Sequence, residues 1–380
     1  MMHRRMTVSR GFSLPELMVA MVIGLVLMLA VTTMVARQES VRRGVTSGND
    51  LTGNAAYASY LLDREMRSAG AGFSQAVAQS YGCAVRVSLD SAQLLPATKP
   101  FPAPFAAVPT DYRLAPLIAF AGAGAHGSDV IAVAAGNSAL SEAALPVVPR
   151  SAAPGELKLS NTLGMRAGDL LLLSQAGTGC MVQQLGNNFT GGPTQRATLG
   201  GRYAADTIDG LTITQFSTKP FVFVLGNVVG NQPRFQLLGI DADDTLVSYD
   251  LLQLRSEGVQ PLAEGVVDMR ALYGVDMARG GQDQVTEWVA PTASGFTAAA
   301  LTDGTAVARE NLRHILAVRV ALVLRSDLVE KTDVTAGKLT LFSDLPDAVH
   351  QTYTVPAGSA NQRYRVVEFT VPLRNVRDAR

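Results

Sequence analysis

Few residues of this chain have the types and spacing that chemistry needs. The four histidines, His3, His126, His314 and His350, are scattered, and no H-E-x-x-H pair sets two of them on one helix face to hold a metal. No G-x-S-x-G turn presents a serine nucleophile, and no P-loop cradles a phosphate. Gly122 to Gly127 reads GAGAHG and matches the dinucleotide fingerprint letter for letter. A dinucleotide site needs a helix opening at its last glycine, whereas SDVIAVAAG follows here and has the branched, apolar character of a strand. The glycines are therefore read as a hairpin loop. Asp276, Asp283 and Glu287 lack EF-hand spacing, and an ordinary turn is expected there. Cys83 and Cys180 lack zinc-ligand spacing. No catalytic residue, metal site or cofactor is assigned.

Glu16 does require a chemical account, because it sits near the start of one of the most apolar runs in the chain, Arg10 to Ala36. A lone carboxylate in a bilayer costs about 3 kcal/mol on insertion scales, so an intramembrane acid is a functional candidate until its partner is named. The helix macrodipole offers a more ordinary role, stabilising an acid in the first turn by about 0.3 to 1 kcal/mol.

The element that positions Glu16 follows from hydropathy. Between Glu16 and Arg37 lie about 20 residues without a charge, which as a helix span roughly 30 Å, the thickness of a bilayer's hydrocarbon core. Met1 to Arg10 carries His3, Arg4, Arg5 and Arg10 and no acid, favouring a cytoplasmic N-terminus, although Arg37, Arg42 and Arg43 on the far side weaken the count. No A-x-A site followed by a polar start marks a conventional signal peptide, while AVTTMVA at Ala30 to Ala36 keeps that alternative open. Beyond Ala36 the pattern turns amphipathic. Leu51, Ala55, Ala58, Leu61, Leu62, Met66 and Ala69 recur at helical spacing, with Asp50, Asp63, Arg64, Glu65 and Arg67 assigned to the other faces. Gly44, Gly48 and Gly53 are expected to bend or locally melt this helix, and SAGAGF at Ser68 to Phe73 to stop it.

GFSLPE, Gly11 to Glu16, resembles the class III leader of type IV prepilins, in which a dedicated peptidase cuts after the glycine and methylates the new N-terminus. The resemblance implies cleavage between Gly11 and Phe12, methylation of Phe12, and Glu16 at the fifth mature position as the assembly residue. Its partner would be the N-terminal amine of a neighbouring subunit, and in an isolated subunit the carboxylate would be poorly satisfied. Pro15 departs from the aliphatic residue usual there, but proline is tolerated in a first helical turn. LLDREMRSAGAGF…YGC (Leu61 to Cys83), LAEGVVDMRALYGVD (Leu262 to Asp276), Trp288, AVRVALVLRS (Ala317 to Ser326) and FTVPLRN (Phe369 to Asn375) are similar, in order, to PilW-type minor pilins.

The expected fold class is α+β and pilin-like, a long N-terminal helix packed on an antiparallel, β-rich globular domain. Residues 1–11 form the leader, 12–36 the membrane-spanning half of the helix, 37–70 its amphipathic half, and 71–380 the globular region, as one unit or two subdomains. At 47% hydrophobic and 17% charged, the chain has enough apolar material for such a core. Strands are predicted at Asp129 to Ala134, Asp169 to Ser174, Leu211 to Phe216, Phe221 to Leu225 and within His314 to Ser326. Alternation places Val367, Phe369, Val371 and Leu373 on one face of one strand, and Val267, Met269, Ala271, Tyr273 and Val275 on one face of another. Linkers are expected at Leu94 to Pro109 and Gly186 to Gln195. After export Cys83 and Cys180 would meet an oxidising compartment, where a bridge closing about 98 residues is worth roughly 4.7 kcal/mol. Two separate buried thiols are the alternative.

Equal numbers of basic and acidic residues, 32 each, give no broad attraction for nucleic acid, and no small-molecule ligand is assigned. The resemblance implies a non-catalytic minor pilin of the type IV pilus, held in the bacterial inner membrane with its C-terminal domain periplasmic. Its implied partners are other minor pilins, the major pilin, the prepilin peptidase and the inner-membrane assembly platform, with roles in assembly initiation or at the tip. A type II secretion pseudopilin shares the same N-terminus. A signal-anchored periplasmic enzyme, binding protein or adhesin is the alternative from a different class.

Overall fold

A computed structural model describes residues 13–138, 143–191, 195–277 and 284–377. The apolar run and the amphipathic stretch form one helix, Leu14–Arg67, of 54 residues, about 80 Å long at 1.5 Å per residue. It is continuous through Gly44, Gly48 and Gly53, where the glycines predict bending or melting. The reason lies in tertiary packing: Ser47, Leu51, Ala55, Ala58, Leu62 and Met66 are all buried, and packing of that face outweighs the glycine propensity cost. The stop comes where the sequence places it. Gly70 and Gly72 adopt φ of +81° and +80°, a region that favours glycine. The Gly70 N–H donates to Ala134 O at 2.8 Å and the Gly136 N–H to Ala71 O at 2.7 Å, which ties the helix end to the sheets.

Among the described residues, three larger sheets form the body of the globular part, with three two-stranded ones beside them. The C-terminal sheet has the order Glu287–Val289, Val266–Val275, Ile315–Val329, Gln362–Pro372, all antiparallel, and its two long strands beside Ile315–Val329 give that strand neighbours along most of its length. The central sheet orders Gln260–Glu264, Thr245–Asp250, Arg234–Ile240, Val130–Ala135 and Leu117–Phe120. The lateral sheet orders Ala92–Leu95, Val85–Leu89, Gly179–Gln184, Asp169–Gln175, Phe221–Asn227 and Leu145–Pro146, with one parallel pair, Val85–Leu89 beside Gly179–Gln184. The helix packs mainly on the C-terminal sheet and on Gln260–Glu264 of the central one. One apolar core joins the helix underside to all three sheets. A second lies on the far side of the lateral sheet, and a third between the C-terminal sheet and the hairpin of Lys338–Leu341 and Gln351–Thr354.

The GAGAHG glycines do join two antiparallel strands, Leu117–Phe120 and Val130–Ala135, with Phe120 opposite Val130. Three expectations are corrected. Val267 does not share a face with Met269, Ala271, Tyr273 and Val275: a bulge between Val266 and Asp268 puts it in the third core, while the other four line the main one. Leu211 to Phe216 is not one strand but a two-residue strand, Leu211–Thr212, running into a 3-10 turn, Ile213–Gln215, that buries Ile213 and Phe216. Leu94 to Pro109 is no free linker, since Phe101, Phe105 and Val108 anchor it in the main core. The Gly186 to Gln195 segment likewise buries Phe189, although residues 192–194 lie outside the described residues.

Candidate functional site

Glu16 stands in the first turn of the helix, with Pro15 beside it. The Ser13 N–H and the Ser13 hydroxyl both donate to Glu16 Oε2, at 3.0 and 2.9 Å. The carboxylate is thus already engaged within one chain, a correction to the expectation of poor satisfaction. The spacing S-x-x-E is a capping box in sequence, and the acid reaches back to an N–H that the helix leaves over. These two bonds orient the carboxylate without neutralising its charge. Gly11 and Phe12 lie outside the described residues.

From Leu14 to Val35 the helix offers a 22-residue stretch that is apolar apart from Glu16, Thr32 and Thr33, and none of it is buried in the fold. Its lower half is seated quite differently. Leu51, Ala55, Ala58, Leu61, Leu62, Met66 and Ala69, the face read from helical spacing, are all buried. Glu65, expected on the solvent side, is instead 7% exposed. It lies three residues after Leu62 and four before Ala69, so the periodicity that identifies those two also carries the signal for Glu65. Arg64 reaches Glu65 Oε1 at 2.8 Å, and Arg234, from the first position of a central-sheet strand, reaches Oε2 at 2.7 Å. A buried acid is tolerable when each oxygen meets a cation in this way.

Further contacts hold the helix along its length. The Arg365 guanidinium donates to Thr52 Oγ1 at 2.6 Å. Arg363, held by Glu330 at 3.1 Å, crosses the helix at Gly44, where a Cβ would stand 3.1 Å from its guanidinium nitrogen. At the helix end Asn375 donates to Ala69 O at 3.1 Å. None of these four polar residues announces itself in the sequence, because each partner is more than 280 positions away or lies in another loop.

The cysteine sulfurs are joined, with Cα atoms 5.6 Å apart, and the bridge spans 97 positions. Cys180 is the second residue of the lateral strand that runs parallel to Val85–Leu89, so the bond ties the segment leaving the helix to that sheet. Asp129 joins the other two sheets: its carboxylate accepts from the Gly122 and Ala271 N–H groups, both at 2.9 Å. Burial nevertheless holds its carboxyl above the ordinary range. Asp268, 2% exposed, accepts from Arg270 Nε at 2.9 Å, and burial raises it as well, against the pull of that arginine.

These groups do not converge on a reacting centre. In one surface cleft, about 410 Å³, Asp169 is the carboxylate in the lining, and it is taken up by the Arg166 N–H and the Asn227 amide, both at 2.8 Å. Among the described residues no group of three or more His, Cys, Asp or Glu could hold a metal ion. Asp276 is buried and Glu287 exposed on an edge strand, while Asp283 lies outside the described residues.

Two family models match the chain. Residues 6–32 match the prokaryotic N-terminal methylation motif, and residues 237–375 match PilW, the type IV pilus-assembly protein W. The chain matches as a PilW-family type IV pilin. No curated protein and no solved structure matched it. The two matched regions are linked through one helix: residues 6–32 take in much of its exposed apolar half, and residues 237–375 include the C-terminal sheet that seats its other half. The expected pilin-like α+β fold, an apolar N-terminal helix on a β-rich domain, is the one observed. PilW pilins are structural components of a pilus, and the exposed apolar helix suits a membrane-anchored pilus protein.

Proposed function

We propose that the chain is a minor pilin of the type IV pilus, a structural subunit that works in assembly initiation or in the tip complex. One observation carries this reading: a single helix whose lower half is seated on its own sheet and whose upper 22 residues have no cover among the described residues. Such a half needs lipid before assembly and other helices after it. The prepilin peptidase cuts between Gly11 and Phe12 and methylates the Phe12 amine. With the basic leader cytoplasmic and the C-terminal domain periplasmic, the protein waits in the inner membrane. The assembly platform then moves it into a filament beside other minor pilins and the major pilin. There Glu16 pairs with the Phe12 amine of a neighbour, neutralising both charges and setting the axial register of the helices.

The match of residues 237–375 to the pilus-assembly family favours the pilus over a type II secretion piston, which would use the same helix. The test is the amount of chain in sheared pili relative to the membrane pool, for wild type, Glu16→Ala and a Gly11 variant that blocks cleavage. Both variants should stay in the membrane, and mass spectrometry of the wild type should find methylated Phe12 at its N-terminus. Unchanged piliation with both variants, or an unprocessed N-terminus, rules the reading out.

A further inference from the structure

The C-terminal sheet ends on Gln362–Pro372, at 11 residues the longest edge strand among the described sheets. Its register decides which backbone groups it leaves over. The Leu373 N–H donates to Leu316 O at 2.8 Å, and Pro372 stands opposite Ala317. In an antiparallel ladder bonded and non-bonded pairs alternate, so residues 365, 367, 369 and 371 face the central strand while Val366, Glu368, Thr370 and Pro372 turn their backbone groups outward. Two neighbours agree with this assignment. The proline occupies an outward position, where its missing N–H costs no ladder bond, and Tyr364, next in the outward series, gives its N–H to the Thr335 hydroxyl at 3.3 Å. Between those two stops no described strand pairs with the outer side, so the N–H groups of Val366, Glu368 and Thr370 have no ladder partner there.

The side chains along this edge are also incompletely covered. Val366 on the hairpin side, with Val367 and Phe369 on the helix side, are half-buried, whereas their cross-strand partners Val323, Leu322 and Val320 are fully buried. Charges that commonly guard an edge are occupied elsewhere: Arg363 and Arg365 turn to Glu330 and the helix, and Glu368 pairs with Arg319 at 2.7 Å.

We propose that residues 366–370 take up a β-strand from the globular region of a neighbouring subunit in the same filament. The inference rests on the pilin reading above, because the helix segment from Gly44 to Thr52, held by Arg363 and Arg365, leaves the fold beside this edge. Packing of neighbouring helices brings a neighbour's globular region along the same line. The incoming strand has apolar side chains on both faces at its centre, to cover Val366 on one side and Val367 and Phe369 on the other. Its carbonyls accept from the three outward N–H groups.

The test compares amide exchange, by mass spectrometry, in the full chain purified in detergent and in sheared pili. Peptides spanning residues 365–371 should slow by about tenfold or more in pili, while those around the exposed Val229 should not change. Thr370→Pro removes one outward donor at an exposed position and should lower the chain's share in pili by at least about fivefold, whereas Thr370→Val keeps the donor and should incorporate normally. Should Thr370→Pro fail to accumulate, the wild-type exchange comparison decides. Fast exchange of residues 365–371 in pili that contain the chain overturns the edge proposal and leaves the pilin reading standing. Absence of the wild-type chain from pili overturns that reading, and the partner assigned here falls with it.

Discussion

Glu65 and Arg234 lie 169 positions apart in the chain and 2.7 Å apart in the fold, joining the long N-terminal helix to the central sheet through a carboxylate almost closed to solvent. Removing one partner of such a pair leaves an uncompensated charge, which costs about 3 to 5 kcal/mol when both are buried. Arg234 keeps 28% of its side chain exposed and Arg64 half, so a smaller loss is expected here. Glu65→Ala should destabilise the globular region by about 2 kcal/mol, read from the denaturant midpoint of the full chain in detergent. A double-mutant cycle with Arg234→Ala should return a coupling of about 1 to 3 kcal/mol. A coupling near zero would mean that the pair is incidental to the seat of the helix.

The Cys83 to Cys180 bridge acts on the unfolded chain. Closing a loop of 97 positions removes conformational freedom that the folded state has already lost. The chain-entropy relation puts this at about 4.7 kcal/mol for a loop of roughly 100 residues. Cys83→Ser with Cys180→Ser should therefore shift unfolding by about 3 to 5 kcal/mol, and reductant added to the wild type should reproduce the shift. A wild type indifferent to reductant would show that the two sulfurs are not bonded in the purified protein.

Much of the helix is legible in the amino-acid sequence, because its apolar face repeats every three to four residues and burial follows that rule from Leu51 to Ala69. Glu65 escapes because an acid on that face is expected to be solvated, although its spacing places it inside. Val267 escapes for a different reason: alternation survives only while the ladder is regular, and the bulge at Val266 and Asp268 is set by pairing with Val323 and Leu324, about 55 residues away. Arg363 and Arg365 carry no local signature, since their role comes from helix positions more than 300 residues earlier. The edge of Gln362–Pro372 can be read as an alternating strand, but no sequence pattern says which of its two sides lacks a neighbour.

Asp268 contributes to the pH response of the globular region. Its Oδ1 has no hydrogen-bond partner among the described residues, and burial raises its carboxyl above the ordinary value despite Arg270 at 2.9 Å. The fold then binds this proton more tightly than the unfolded chain does. Stability from this group accordingly grows as pH falls from the raised value toward the unfolded value of about 3.9, and is lost as pH rises. Asp129, Asp169 and Asp250 shift in the same direction and are common to parent and variant. The stability of wild type minus that of Asp268→Asn should therefore increase between about pH 7 and pH 4. Denaturant titrations at several pH values in that range check it, and a difference that stays flat or shrinks would show that Asp268 ionises freely in the fold.

Glu16 has two candidate tasks, and conservative variants separate them. As a helix cap it accepts from the Ser13 N–H and hydroxyl, an arrangement worth about 1 kcal/mol. As an assembly group it offers a charge to a neighbour's amine, where losing one partner of a desolvated pair costs about 2 to 5 kcal/mol. Ser13→Ala removes the hydroxyl and keeps the charge, so the chain should enter pili within about twofold of wild type. Glu16→Gln keeps an oxygen for both Ser13 donors and removes the charge, so entry should fall by about tenfold or more, as in Glu16→Ala. Normal entry of Glu16→Gln would assign the residue to capping and remove the amine from the mechanism. A large loss in Ser13→Ala alone would instead mean that the serine hydroxyl, by aiming the carboxylate, is part of the assembly contact.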